Sequence, residues 1–403
     1  MELEKLLKQD NLIIFGCQEY PFPGVQYWGG MGTVCKAVCE RLVHLGFEVL
    51  VLPRRVGDYT APDIIYEEKN GVHILSIPAK TFQAGIDNAD LYQVCPTWDA
   101  TVALDHSFTT WNYLVRHGLR NTAIFHGHDW LSVGWMRAAK RFGLSTVFSV
   151  HMSADRTNRF DKRLELERLA GKCADIIHFV SLAQKKSCQV YDWENRKKQI
   201  IIHNGVDTTK FKPAEQTASG EEYVLFVGRL TYEKNVPALV KAWSQFNQQF
   251  SEVGLKILGA PGPSLLDVKQ EISKLPVAQR EKVELKLEIV PLNEKIRYYQ
   301  NAAICAFPSL TEAFGIVALE AQACGKPVVV GNVGGFWENT LEGVTGIHVD
   351  CRDINAISEG LTIAYLNRET WGKNAVKFVN MFFDWNKLTL DYVNYLYKPL
   401  LEE

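Results

Sequence analysis

Glu312 and Glu320 stand eight positions apart in the run Glu312-Ala-Phe-Gly-Ile-Val-Ala-Leu-Glu320. The run follows an apolar stretch, Ala303 to Phe307, that reads as a strand. Glu312 then falls in the turn and Glu320 about two turns into the next helix. Eight helical residues cover roughly 12 Å and leave the two side chains about 80° apart around the axis. They do not form a carboxylate dyad. They suit the two ends of an extended ligand, with an anion between them near Phe314, Gly315 and Ile316. A helix N-terminus there offers unpaired N–H groups and a positive dipole end. A second run, Phe226-Val-Gly-Arg-Leu-Thr-Tyr-Glu-Lys-Asn235, places Arg229 and Lys234 in the loop after a strand. Two fixed cations at a strand's carboxyl end suit a diphosphate. Each run taken singly is also compatible with ordinary surface charge.

Two further runs carry weaker signals. Tyr27-Trp-Gly-Gly-Met-Gly-Thr33 is a glycine-rich turn before a helix, where backbone at Gly30 and Met31 can approach a ligand closely. Its spacing is not GxGxxG, which disfavours a nicotinamide dinucleotide site. Phe125-His-Gly-His-Asp-Trp130 follows another strand. His126 is the candidate to bond a sugar hydroxyl or a phosphate oxygen. His128 and Asp129 read instead as residues that hold the turn. His151, after the strand ending at Val150, is an even choice between the two roles.

These residues need a scaffold, and the apolar pattern supplies one. Short β-rich runs begin at Leu12, Glu48, Val72, Ala123, Thr146 and Ile176, with amphipathic helices such as Thr33 to Leu45 and Leu131 to Phe142 between them. The rhythm restarts at Tyr223, Leu255, Val283, Ala303 and Pro327. Two series of this kind imply an α/β chain with two Rossmann-like, doubly wound domains facing across a cleft. The expected division is 1–206 and 207–383, with 384–403 returning to the first domain.

Composition bounds the rest. A chain of 403 residues is too long for one core. A net charge of -2 gives no global case for nucleic acid. No apolar run reaches the roughly 18 residues of a membrane span, and none near the N-terminus has the length of a signal core, so a cytoplasmic location is expected. Nine scattered cysteines without a CxxC pair read as buried free thiols, with no metal site.

Taken together, the runs resemble those of GT-B glycosyltransferases of the retaining family 4 group, with a starch/glycogen-synthase-like catalytic domain. The E-x7-E motif at Glu312 and Glu320 is the most specific element. Gly228-Arg-Leu-Thr-Tyr-Glu-Lys234 matches the donor-phosphate segment, His203-Asn-Gly-Val-Asp207 the step into the second domain, and Phe125 to Trp130 the H-x-HDW run. The resemblance spans almost the whole chain.

It implies that Arg229 and Lys234 hold the donor's diphosphate and that Glu320 accepts bonds from the ribose. Glu312 contacts the transferred sugar, with backbone around Phe314 and Gly315. His126 touches the sugar near the reacting carbon, and Gly30 approaches the phosphates. The base lies near Gly259, Pro291 and Leu292. Catalytic roles fall to His126, Arg229, Lys234 and Glu312. Trp98, Asp99 and His151 are the acceptor-side candidates.

The implied partners are a nucleotide-diphosphate sugar carrying uridine, adenosine or guanosine, and a hydroxyl-bearing acceptor. No cofactor or metal is required, since no DxD is present. No nucleic acid or transmembrane segment is implied, and peripheral membrane contact is left open. A glucan synthase is the alternative, but Tyr27-Trp28 and Gly334-Gly-Phe-Trp-Glu-Asn339 depart from that pattern. A non-catalytic nucleotide-sugar binder is the alternative from another class.

Overall fold

The computed structural model describes residues 2–17, 19–21, 30–53, 64–77, 110–151, 162–191, 193, 198–215 and 220–402. The chain forms two compact units. Unit 1 comprises Met1–His203 and Asn386–Glu403, and unit 2 comprises Asn204–Trp385.

Unit 1 is built on eight strands: β1 Leu12–Gly16, β2 Glu48–Leu52, β3 Ile65–Lys69, β4 Val72–Ser76, β5 Ile124–His128, β6 Ser145–Val150, β7 Ile176–Phe179 and β8 Lys198–Ile201. Their order across the sheet is β3-β4-β2-β1-β5-β6-β7-β8. All neighbours are parallel except the β3–β4 hairpin. Every residue of β1, β5 and β7 is buried, the mark of parallel strands covered on both faces. Chain order reverses between β1 and β5, so the crevice of unit 1 lies at their carboxyl ends.

Unit 2 carries six parallel strands: β9 Tyr223–Arg229, β10 Gly254–Ala260, β11 Val283–Lys286, β12 Ile304–Phe307, β13 Val328–Gly331 and β14 Gly346–Val349. Their order is β11-β10-β9-β12-β13-β14. Here the reversal falls between β9 and β12. Both units are therefore Rossmann-like, and the α/β expectation holds.

Several boundaries differ from the sequence reading. β5 continues through His-Gly-His instead of ending at Phe125. β9 runs one residue past Gly228 to include Arg229, which was expected in the loop. The helix carrying Glu320 begins at Ile316, so Glu320 lies just over one turn in and the residues from Glu312 to Gly315 are not helical.

Two glycines shape that approach. Gly315 precedes the helix at φ +84°, and a Cβ on it would stand 2.4 Å from the Phe336 ring. Gly334, at φ +53°, presses against the turn itself, where a Cβ would stand 1.8 Å from the Glu312 carbonyl oxygen. Gly335 N–H then donates to that carbonyl at 3.1 Å. Gly334→Ala is expected to cost about 2–4 kcal/mol, combining left-handed strain with a backbone clash. An unchanged urea midpoint would show that the turn does not depend on this contact.

Candidate active site

In unit 2 the reversal point collects the charged residues. Arg229 is the last residue of β9, paired in register with Ala260 of β10. Lys234 follows in the 3₁₀ turn Tyr232–Lys234. The loop after the neighbouring strand β12 carries Ser309 and Glu312. One backbone bond ties the two loops together, from Leu310 N–H to the Glu233 carbonyl at 2.7 Å. Lys234 Nζ then reaches Glu312 Oε2 at 2.5 Å, and Ser309 Oγ donates to the same oxygen at 3.3 Å. The side chains of Lys234 and Glu312 are 20% and 13% exposed, so the pair is mostly shielded yet reachable. Residues expected to serve the diphosphate and the sugar are thus adjacent to each other.

Glu320 is 4% exposed. Lys295 Nζ donates to its Oε1 at 2.7 Å and the Tyr299 hydroxyl to its Oε2 at 2.9 Å. Both partners sit on the helix Leu292–Asn301, four residues apart and hence on one face. The sequence reading missed them, although their i,i+4 spacing was visible. Burial and the Glu320 carboxylate push the Tyr299 hydroxyl well above its usual range, so it stays a donor. Phe314 is buried, Gly315 caps the helix Ile316–Ala323, and Ile316 opens it. Gly259 lies inside β10, while Pro291 and Leu292 form the exposed start of the helix Leu292–Asn301.

A cavity of about 700 Å³ opens elsewhere in unit 2. Its lining includes Tyr223, Ala303 and Lys326, which stand at the amino ends of β9, β12 and β13. It therefore belongs to the edge opposite these charges.

In unit 1, His151 follows the strand ending at Val150 as expected, but His126 and His128 lie within a strand and not after one. β5 carries Ile124, His126 and His128 on one face, because strand side chains alternate. His126 is in mid-strand beside Phe15 of β1 and is 0% exposed. Its Nδ1 meets the Tyr397 hydroxyl at 2.8 Å and its Nε2 meets Ser149 Oγ at 2.6 Å. Both nitrogens of His126 are thus engaged within unit 1 itself. His128, two residues nearer the carboxyl end, stacks on it with ring centroids 4.3 Å apart.

His128 Nδ1 lies 2.9 Å from His151 Nε2. The outer nitrogens, His128 Nε2 and His151 Nδ1, have no partner among the described residues. These two rings, and not His126, retain bonding capacity.

Asp129 does hold the turn. At φ 52°, ψ -179° it occupies backbone space usual only for glycine, and its Oδ1 accepts the His151 N–H at 2.7 Å. Gly30 and Met31 form the first turn of the helix Gly30–His44, not a loop before it. Tyr27, Trp28, Trp98 and Asp99 lie outside the described residues.

Two Rossmann-like units with these residues at their carboxyl edges define a glycosyltransferase of the GT-B fold. The model of the glycosyl transferases group 1 matches residues 207–378, and that of glycosyltransferase family 4 matches residues 28–210. The chain belongs to this glycosyltransferase family.

It is 26% identical over 406 residues to a D-inositol 3-phosphate glycosyltransferase of Geodermatophilus obscurus, covering 94% of this chain and 87% of that relative. The sucrose-phosphate synthase of Thermosynechococcus elongatus superimposes with a TM-score of 0.78 at 23% identity, covering 97% of this chain and 99% of that one. The catalytic domain of starch synthase IV from Arabidopsis thaliana gives 0.74 at 15% identity, covering 97% and 99%. Among the described residues no helix is long and apolar enough to cross a membrane.

Two outcomes follow from this geometry. Lys295→Met strands a buried carboxylate and is expected to cost about 3–5 kcal/mol, with Lys295→Met/Glu320→Gln recovering most of it. Equal urea midpoints for the single and double variants would contradict the pairing. The second concerns pH. Desolvation by burial, reinforced by the neighbouring histidines, holds His126 and His128 well below the usual 6.5. The same causes lower His151 to about 3, and burial lowers His178 to about 4. Below pH 6.5 the unfolded chain binds protons at these sites while the native chain does not. Stability should therefore fall as pH drops from about 6.5 towards 4, by up to about 1.4 kcal/mol per pH unit for each such site. A midpoint that stays flat over that window would refute the neutral assignment.

Proposed function

We propose that the protein transfers a hexose from a nucleotide-diphosphate sugar to a hydroxyl group, with retention at the anomeric carbon and without a metal. The observation that carries this reading is the 2.5 Å contact between Lys234 and Glu312, held where β9 and β12 diverge and next to a helix N-terminus. Breaking the bond from the anomeric carbon to phosphate builds negative charge on the diphosphate and positive charge on the sugar. Lys234 and Arg229 answer the first, and Glu312 stands where the second develops. Fixed charges act strongly in such a shielded site, because they need no reorganisation as the bond breaks. Glu320, oriented by Lys295 and Tyr299, keeps lone pairs for the ribose hydroxyls. His128, whose Nε2 is buried and has no partner among the described residues, takes the sugar-facing role first expected of His126.

The acceptor we infer is a phosphorylated polyol. This rests on the relatives named D-inositol 3-phosphate glycosyltransferase, one of which aligns with 94% of this chain.

The test begins with a thermal-shift panel of nucleoside diphosphates, in which the matching nucleotide raises the melting temperature. Turnover follows with polyol phosphates and with glucans as rival acceptors. Arg229→Ala/Lys234→Ala should lower kcat by at least about 10²–10³-fold, and Glu320→Ala should raise the donor KM. Undiminished turnover in the double variant would sink the phosphate assignment. A proton spectrum of the first product reads the anomeric configuration, and an inverted product would end the claim of retention. Loss of turnover in chelator, restored by a divalent cation, would end the claim that no metal is needed.

A further inference from the structure

The buried hydrogen bonds of unit 1 can be followed proton by proton. The Ile202 carbonyl can only accept, so His178 Nε2 carries a proton and donates to it at 2.8 Å. His178 Nδ1 is then bare and accepts from the Ser149 hydroxyl at 2.6 Å. That hydroxyl has no second proton, so His126 Nε2 donates to Ser149 Oγ at 2.6 Å. His126 Nδ1 is left bare and accepts from Tyr397 at 2.8 Å. One terminal carbonyl thus orients the whole line, provided both rings are neutral.

His128 stands outside this line, and its tautomer is set differently. Its Nδ1 faces two groups, His151 Nε2 at 2.9 Å and Cys35 Sγ at 3.5 Å. Neutral rings have one proton to share across the inner contact. If His128 Nδ1 holds it, His128 Nε2 is bare and His151 Nδ1 is protonated. If His151 Nε2 holds it, the outer polarity is reversed.

Cys35 breaks the tie. Its thiol is fully buried on the helix Gly30–His44, and burial together with Cys17 keeps it protonated. Besides the sulfur of Cys17, a weak acceptor, His128 Nδ1 stands 3.5 Å from the Cys35 sulfur, within reach of an S–H bond. A proton already on Nδ1 would leave that S–H only the weak sulfur acceptor of Cys17.

We infer that Cys35 is a positioning residue that fixes the tautomer of His128, so that His128 presents an Nε2–H and His151 presents a bare Nδ1. A donor and an acceptor on neighbouring rings match a hydroxyl-rich ligand, whose oxygens accept and whose protons donate. A carboxylate or phosphate would meet a lone pair at His151. The ligand part rests on the reading that the carboxyl ends of β5 and β6 meet the sugar, while the tautomer part does not.

The experiment is a long-range proton–nitrogen spectrum of the full chain labelled with ¹⁵N-histidine, the His128 signals being assigned by their loss in His128→Gln. The wild type is expected to show His126, His128, His151 and His178 all protonated at Nε2. In Cys35→Ala the Nε2–H to Nδ1–H ratio of His128 should fall about fivefold, the worth of one weak hydrogen bond. Cys35→Ser keeps a donor and should restore the wild-type ratio. An Nδ1–H on wild-type His128, or an unmoved ratio in Cys35→Ala, overturns the inference. The wild-type spectrum decides even if the alanine variant does not fold. Adding the nucleotide sugar then separates the two claims. A predicted tautomer whose signals the sugar does not shift supports the inference and refutes the sugar-site reading.

Discussion

A parallel sheet gives a ligand one natural place to touch the ends of two neighbouring strands. It is the point where their onward connections part to opposite faces. Unit 2 has it between β9 and β12, and unit 1 between β1 and β5. Everything that can do chemistry here inherits its position from that constraint. Arg229 and Lys234 leave one strand, Glu312 leaves the next, and a single backbone bond from Leu310 to Glu233 joins the two departures. The salt bridge between Lys234 and Glu312 is a consequence of strand order before it is a property of either side chain.

Burying so much polarity sets conditions of its own. Glu320 and the four histidines are almost out of water, where an unmet donor or acceptor costs about 1–3 kcal/mol. The two units meet this differently. Unit 2 buries a charge and supplies a lysine and a tyrosine for it. Unit 1 keeps its rings neutral and threads them on hydroxyls and a carbonyl. The first solution keeps a full charge inside unit 2. The second gives direction without charge, which suits contacts to hydroxyl groups.

Much of this was legible because parallel β-strands are apolar throughout and stand out against amphipathic helices. Of the fourteen described strands, β3, β8 and β14 escaped notice. β3 is Ile-Tyr-Glu-Glu-Lys at a sheet edge, where exposure permits charge, and β14 is the brief Gly-Ile-His-Val at the other sheet's edge. The His-Gly-His run misled for the converse reason. Polar residues usually mark the end of a buried strand, but here Ser149 and Tyr397 engage His126, His151 meets His128, and β5 runs on. Those partners are distant in sequence, so no local pattern announces them. Glu320 was identifiable from its motif, yet Lys295 lies on another helix and only the packing joins them.

The line of histidines ends on Tyr397, within a π-helical stretch, Tyr392–Tyr397, that the chain reaches only after all of unit 2. Tyr392 also packs its ring edge against His178, with centroids 4.9 Å apart. Unit 1 is thus discontinuous, and its interior is finished by its most recently synthesised segment. During translation the β5 and β6 histidines wait, incompletely covered, while the second sheet is made. The closing contact joins residues 271 positions apart in the chain, so it cannot form until all of unit 2 has been made. Assembly of the first unit is therefore a late event in the life of each new chain, although its strands are made first.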